Sequence, residues 1–479
     1  MATTSAFLHD VWERDVVPTL TDYVRIPNKS PAFDPGWRDA GHMEQAVTLV
    51  EEWCRARTVP GMTVERHELE GRTPVLLIEV PATTARGAGK DSRASDETVL
   101  LYGHLDKQPE MAGWREGLSP WEPVREGDRI FGRGVADDGY ATFSALTAIE
   151  ALQEAGRPHA RCVVVIEASE ESGSPDLPAH MDALADRIGA PSLVVGLDSG
   201  CATYDRLWVT SSLRGLVGGC LRVDVLEEGV HSGAAGGIVP SSFRILRRLL
   251  ERIEDATTGQ ILLPALHTDI PDHVHAAAVA LVDELGPDAA GEFPMVDGMR
   301  SATSDPVERV LAGTWRPQLA VIGADGLPSV ANGGNVLRPF TALSLSFRLP
   351  PTVDPAAAAA AIDEALSGES PYGARVSWRA HEGASGWAAP ATAPWLATAL
   401  DQGSTAAFGK PARFMGEGGT IPFMAMLGEQ FPDAQFVITG VLGPESNAHG
   451  PNEFLDLPTA ERVTASVAHV LAAHAEQGS

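Results

Sequence analysis

The chain has little with which to close a cysteine metal knuckle or to cross a membrane. Only four cysteines, Cys54, Cys162, Cys201 and Cys220, are spread over 479 residues. None stands in CxxC spacing, which excludes a zinc knuckle and a disulfide framework and leaves buried thiols as the expected state. Apolar runs are short: Val163 to Ile166 and Ala277 to Val282 fall far below the roughly 18 residues that a membrane span needs. Positive charge is scarce, with 36 Lys and Arg against 64 Asp and Glu and a formal net charge of −28, so the long-range field opposes nucleic acid and anionic membrane as partners. The opening MATTSAFLHDVWERD carries acids where a secretion signal needs bases and an apolar block, and a soluble, cytoplasmic protein is expected. Aromatics make up only 6% of the chain, yet 44% of it is apolar, which is globular composition. No internal repeat is present. The length exceeds the roughly 250 to 300 residues at which a single core stops growing, so two domains are expected.

What is there alternates. Helical apolar spacing over Phe7 to Val24 and Met43 to Arg57 is followed by buried-looking strands in TPVLLIEV, TVLLYGHLD, CVVVIEA and SLVVGLD, with a helix over Tyr140 to Ala155 between the second and third of these. The polar stretch TTARGAGKDSRASDE reads as a loop. Such βαβ alternation predicts an α/β fold with a mixed, mostly parallel sheet flanked by helices, whose sites lie beyond the C-terminal strand ends. From about residue 210 a strand and helix series of its own begins: LVGGCLRVDV, PSSFRILRRLLERIED, TALSLSFRLP, DPAAAAAAIDEALSG and ARVSWRAHE. After Pro390 the first pattern resumes. The expected architecture is an insertion: residues 1–209 and 389–479 build one domain, and 210–388 form an inserted α+β, ferredoxin-like domain.

The strand ends converge on acids and imidazoles. VLLYG closes on His104 and Asp106, GRGVADDGY offers Asp137 and Asp138 before a helix, VVVIEASEESGS supplies Glu170 and Glu171, and VVGLDSG supplies Asp198. Alone, each has an ordinary reading as a helix cap, a turn residue or a solvated loop. On one rim, so much negative charge is costly without a cation. Mixed imidazole and carboxylate ligands suit Zn²⁺, with Mn²⁺ or Co²⁺ as alternatives. One acid bridging two ions would hold them about 3.5 to 4 Å apart. Of the adjacent glutamates one can ligate while its neighbour takes a proton from water, and Asp106 can orient His104. His449 in NAHGPNEFLDL is the candidate last ligand from the C-terminal return.

The motifs LLYGHLDKQP, WEPVREGDRIFGRGVADDG, EASEESGS, DSG, GVHSG and NAHGPNE, in this order and over nearly the whole chain, resemble the dinuclear zinc metallopeptidases that include carnosinase and the cytosolic non-specific dipeptidases. The resemblance implies two divalent ions held by His104, Asp137, Glu171, Asp198 and His449, with Asp137 bridging, Glu170 as general base and Asp106 as partner of His104. It further implies a homodimer whose inserted lid domain contributes His231, often to the partner subunit's site, to steady an oxyanion. Arg348 would grip the substrate carboxylate, with Asn335 and Thr420 as neighbouring polar contacts. The chain departs from the pattern at Gly139-Tyr140, where the dipeptidase branch usually has Lys-Gly, and at Arg338-Pro339, where relatives commonly place the proline first. The activity so implied is hydrolysis of a dipeptide or small peptide with a free carboxylate. An N-acyl amino acid amidohydrolase of the same fold and a non-catalytic dimeric binding protein are the alternatives.

Overall fold

The apolar runs become neighbouring strands. In the computed structural model, which describes residues 2–85, 96–291, 293, 295–381 and 383–477, Thr98–His104 pairs in parallel with Arg161–Glu167 on one side and Leu193–Gly196 on the other. Gln435–Ile438, from the end of the chain, adds in parallel beyond Leu193–Gly196. Val75–Val80 and Thr63–His67 extend the opposite edge in antiparallel pairing. The sheet is thus mixed, with a parallel centre. Successive residues of a strand point to opposite faces, yet Val99, Leu100, Leu101 and Tyr102 are all buried. Both faces are covered, which is why these strands carry no polar alternation. Most of the expected loop of TTARGAGKDSRASDE, at 86–95, lies outside the described residues.

By internal contacts the chain divides into two units, Met1–Ser211 with Ala389–Met415 and Met426–Ser479, and Ser212–Ala388 with Gly416–Ala425. In the first, the helix Ala141–Glu154 is buried on every side from Ala141 to Leu152, and it packs on Leu457–Gln477, which packs on Pro394–Phe408. A helix without a polar face belongs inside a core. The helical stretch expected over Phe7 to Val24 runs as Ala2–Val11, a π-helical turn at Trp12–Val16, and Val17–Val24. Pro18 has no N–H for the carbonyl of Arg14, so the ladder changes register just before it. A small antiparallel sheet joins Val124–Glu126, Arg129–Phe131 and Phe454–Asp456, with Phe454 opposite Phe131.

The second unit has a four-stranded antiparallel sheet in the order Gln318–Asp325, Phe340–Leu349, Gly215–Asp224, Arg375–Ala380, and a two-residue ladder pairs Val230–His231 with Val336–Leu337. With the helices Ser242–Leu250 and Pro355–Ser367 the succession is βαββαβ, the ferredoxin-like order. Gly215–Asp224 alternates buried and half-buried residues throughout, and Ile245, Leu246 and Leu249 of the first helix join Leu221 and Phe347 in one apolar cluster. Two further helices, Asp272–Leu285 and Pro306–Thr314, pack on each other within this unit. No helix among the described residues is long and apolar enough to cross a membrane.

Candidate metal centre

Because the three central strands run in parallel, their last residues share one edge of the sheet. His104 ends its strand, Glu170 and Glu171 form a 3₁₀ turn three residues past Glu167, and Asp198 lies two residues past Gly196. Asp137 sits in the turn that leads into Ala141–Glu154. His449 lies in the loop between Gln435–Ile438 and Phe454–Asp456, which the small sheet draws back toward Arg129–Phe131.

The structure brings five of the expected ligands together in two overlapping groups, His104, Asp137 and Asp198, and Asp137, Glu171 and His449; within each, the candidate ligand atoms all lie within 4.8 Å of one another. Asp137 belongs to both. Its Oδ1 stands 3.4 Å from His104 Nε2, and its Oδ2 stands 2.9 Å from His449 Nε2. Asp198 Oδ2 is 3.7 Å from His104 Nε2, and Glu171 Oε2 is 3.3 Å from His449 Nε2. Glu170 is in neither group, but its Oε2 comes within 3.9 Å of His104 Nε2.

The electrostatics ask for cations. Burial first, and then the charges of Asp198 and Asp106, push Glu170 well above the usual carboxylate range. Burial with Asp137 and Glu170 does the same to Glu171. Burial opposes a charged His104, yet Asp106 and Asp137 outweigh it and hold the imidazole well above its ordinary value. Asp137, buried between His104 and His449, is held below the carboxylate range by both. Crowded acids thus borrow charge from protons or from metal ions. His104 Nε2 and Glu171 Oε1 are buried without a hydrogen-bond partner, and both belong to residues that supply a candidate ligand. This donor set fits a pair of divalent ions.

Around the rim, buried polar groups fix the candidate ligands. Asp106, expected as the partner of His104, meets the imidazole chiefly through its backbone: His104 Nδ1 lies 3.1 Å from the Asp106 carbonyl and 3.5 Å from its Oδ1. The Asp106 carboxylate accepts the backbone N–H groups of Glu170 and Glu171 at 3.0 and 2.9 Å, so one residue places both glutamates. Gln108 donates to Glu171 Oε2 at 2.5 Å, and Asp138 Oδ2 accepts the backbone N–H of His104 at 3.2 Å. Tyr140, at the departure from Lys-Gly, is buried and donates its hydroxyl to the carbonyl of Leu197, one residue before Asp198. Its neighbour Gly139 is obligatory, because a Cβ there would lie 2.3 Å from the carbonyl oxygen of Gly134. Arg133 and Glu453 form a buried ion pair of 2.7 Å. Both stood inside recognisable motifs, FGRGVADDG and NAHGPNE, but no sequence signal marks a charge as buried.

The remaining candidates lie in the second unit. Arg348 Nη1 donates to Thr420 Oγ1 at 2.8 Å, and Thr420 in turn donates to the carbonyl of Arg214 at 2.6 Å. Burial and the charge of Arg348 depress the Arg214 guanidinium to about 10. Neither arginine has an ion-pair partner among the described residues. His231 is exposed and accepts the backbone N–H of Gly233 on Nδ1 at 3.2 Å, so its neutral form carries the proton on Nε2. Asn335 is exposed, and its carbonyl receives the N–H of Ser232 at 2.9 Å.

Residues 100–473 match the family described as Peptidase family M20/M25/M40. The chain is 28% identical to the cysteinylglycine-S-conjugate dipeptidase of Corynebacterium striatum, over 95% of this chain and 98% of that protein. Its fold is similar to that of the dipeptidase Dug1p from Saccharomyces cerevisiae, with a TM-score of 0.75, 20% identity, and 99% and 98% of the two chains covered. Human carnosine dipeptidase 1 is likewise similar, with a TM-score of 0.71 at 20% identity over 99% of each chain.

Proposed function

The chain belongs to Peptidase family M20/M25/M40, and from that premise we propose that it is a dinuclear metal-dependent dipeptidase. The observation that carries the reading is Asp137, whose two carboxylate oxygens each face a separate imidazole and which belongs to both ligand groups. His104 and Asp198 would hold one ion, Glu171 and His449 the other, with Asp137 shared. Two such ions supply the positive charge that acidifies a water and polarises an amide carbonyl. Imidazole with carboxylate suits zinc best, with manganese or cobalt as substitutes.

Glu170 is the base. Its Oε2 stands beside the cluster without belonging to it, so it is free to take a proton from water and return it to the leaving amine. His231, with Nε2–H as donor, steadies the negative charge that develops on the carbonyl oxygen. Arg348, unpaired with any acid among the described residues, grips the free carboxylate of the substrate, with Thr420 holding its guanidinium and Asn335 contributing a polar contact. Arg348→Ala should therefore raise KM about 10- to 100-fold, the value of a charge-assisted hydrogen bond, and should change kcat much less; an unchanged KM for substrates with a free carboxylate would remove that role.

The insert also favours a homodimer. Its sheet ends on Gln318–Asp325, where Val321 and Ile322 are 51% and 67% exposed, an open apolar edge of the kind that pairs with a second chain. All four cysteines stand as free thiols, which suits a reducing, cytoplasmic setting.

The test is turnover across a panel of dipeptides, among them Cys-Gly S-conjugates and β-Ala-His, beside N-acyl amino acids, with zinc, manganese or cobalt restored to stripped protein. Cleavage of dipeptides is the expected result. Turnover of acyl compounds alone would make the chain an amidohydrolase, and no turnover with any ion would make it a binding protein.

A further inference from the structure

Arg133 and Glu453 lie 320 residues apart in sequence, and both are buried, at 1% and 0% exposure. The Glu453 carboxylate receives four donors. Oε2 accepts Arg133 Nη1 at 2.7 Å and the N–H of Gly134 at 3.1 Å; Oε1 accepts the N–H groups of Ala136 and Asp137 at 3.2 and 3.3 Å. Only an ionised carboxylate offers acceptors on both oxygens and no donor to compete. Arg133 spends the rest of its fork on the carbonyl of Gly450, next to His449, at 2.6 Å, and on that of Pro109 at 3.1 Å. The pair therefore ties together the turn that carries Asp137, the loop that carries His449 and the segment that follows His104.

The His449 loop needs such a tie. Glu445, Asn447, His449 and Asn452 all have positive φ, at 66°, 55°, 63° and 63°. Asparagine and histidine tolerate that left-handed backbone better than other side chains and glutamate does not, but it is uncommon for any residue with a Cβ, so four such positions in one loop need support from outside it. Stability alone is a poor reason for the pair, because apolar residues of like volume commonly serve a core as well as a buried ion pair does.

We propose that Arg133 and Glu453 are a positioning pair whose task is to hold the Asp137 turn and the His449 loop in the one arrangement that lets Asp137, Glu171 and His449 share an ion. This rests on the metal-centre reading above. The pair touches neither substrate nor ion; it acts through the backbone of two ligands.

Co²⁺ titrated into stripped protein tests it, in wild type, Glu453→Gln and Arg133→Lys, with thermal melting of each as the control for folding. The glutamine has only one accepting oxygen for four donors, and the lysine keeps the charge but lacks the fork that reaches both carbonyls. The expected result is two binding events in wild type. In the folded variants one event is retained and the other is weakened by about 10- to 100-fold, as for other residues that orient ligands. Under Co²⁺ at fixed concentration kcat falls in parallel while KM holds, and Arg133→Lys is milder than Glu453→Gln. Two undiminished events in folded variants overturn the proposal. So does loss of both events, or of the fold, together, since the pair would then be merely structural. If wild type itself takes up no Co²⁺, the metal-centre reading fails, a result distinct from either.

Discussion

Glu170→Gln is expected to lower kcat by about 10²- to 10⁴-fold, the usual weight of a positioned acid–base group, while leaving ion uptake and KM close to those of wild type. The substitution keeps shape and removes basicity. It also keeps the backbone N–H that Asp106 accepts at 3.0 Å, so the 3₁₀ turn holding both glutamates should survive. Because Glu170 supplies no atom to either ligand group, a paired measurement separates it from its neighbour: Glu171→Gln should lose affinity for one ion, and Glu170→Gln for none. Undiminished turnover in Glu170→Gln would reassign the base, and loss of an ion would reassign Glu170 as a ligand.

Chelation should abolish hydrolysis and lower the melting temperature, and added Zn²⁺ should restore both. A ligand present at about 1,000 times its Kd stabilises the folded state by about 4 kcal/mol per site, and here it also relieves repulsion among buried acids. The effect has a sign in pH. Glu170, Glu171, His104 and His449 all have raised values in the stripped protein. Each therefore contributes stability that is complete below its unfolded value and is lost as pH rises through its folded one. Ion binding must expel the protons of Glu171, His104 and His449, the candidate ligands among them, so its affinity moves the other way, rising with pH. The gap in melting temperature between loaded and stripped protein should widen from about pH 6 to about pH 8. Scanning calorimetry with and without Zn²⁺ reads it directly, and a gap that narrowed with pH would contradict the metal centre.

Much of this site could be read from residues alone because its ligands sit at strand ends. A strand such as Thr98–His104, buried on both faces, advertises itself as an unbroken apolar run, and the first polar residues after it must emerge at the sheet's edge. His104, Glu171 and Asp198 stand out as candidates in this way, and Asp137 and His449 by motif order; the structure brings all five together. What was not legible depends on distant partners. The small sheet that pairs Phe454 with Phe131 has strands of only three residues, too short for any periodicity. The amphipathic helices Asp272–Leu285 and Pro306–Thr314 are masked by the proline and glycine of the segment around them. Arg133 and Glu453 look like any surface charges until the fold buries them. Asp106 meets the imidazole with both its carbonyl and its carboxylate, and the same carboxylate also places two glutamates, a second task that only coordinates reveal.

The strand Gln435–Ile438 has a consequence for how the molecule is made. It completes the parallel centre beside Leu193–Gly196, and the loop after it delivers His449. A chain leaving the ribosome has synthesised four of its five candidate ligands by residue 198 but cannot finish either the sheet or the cluster until the whole insert has been translated. Until then the emerging acids stay exposed to any passing cation without the geometry to retain a pair. Assembly of the candidate centre is thereby postponed until the return segment has been made, and a chain truncated before residue 435 would keep most of the recognisable motifs and lack both this strand and His449.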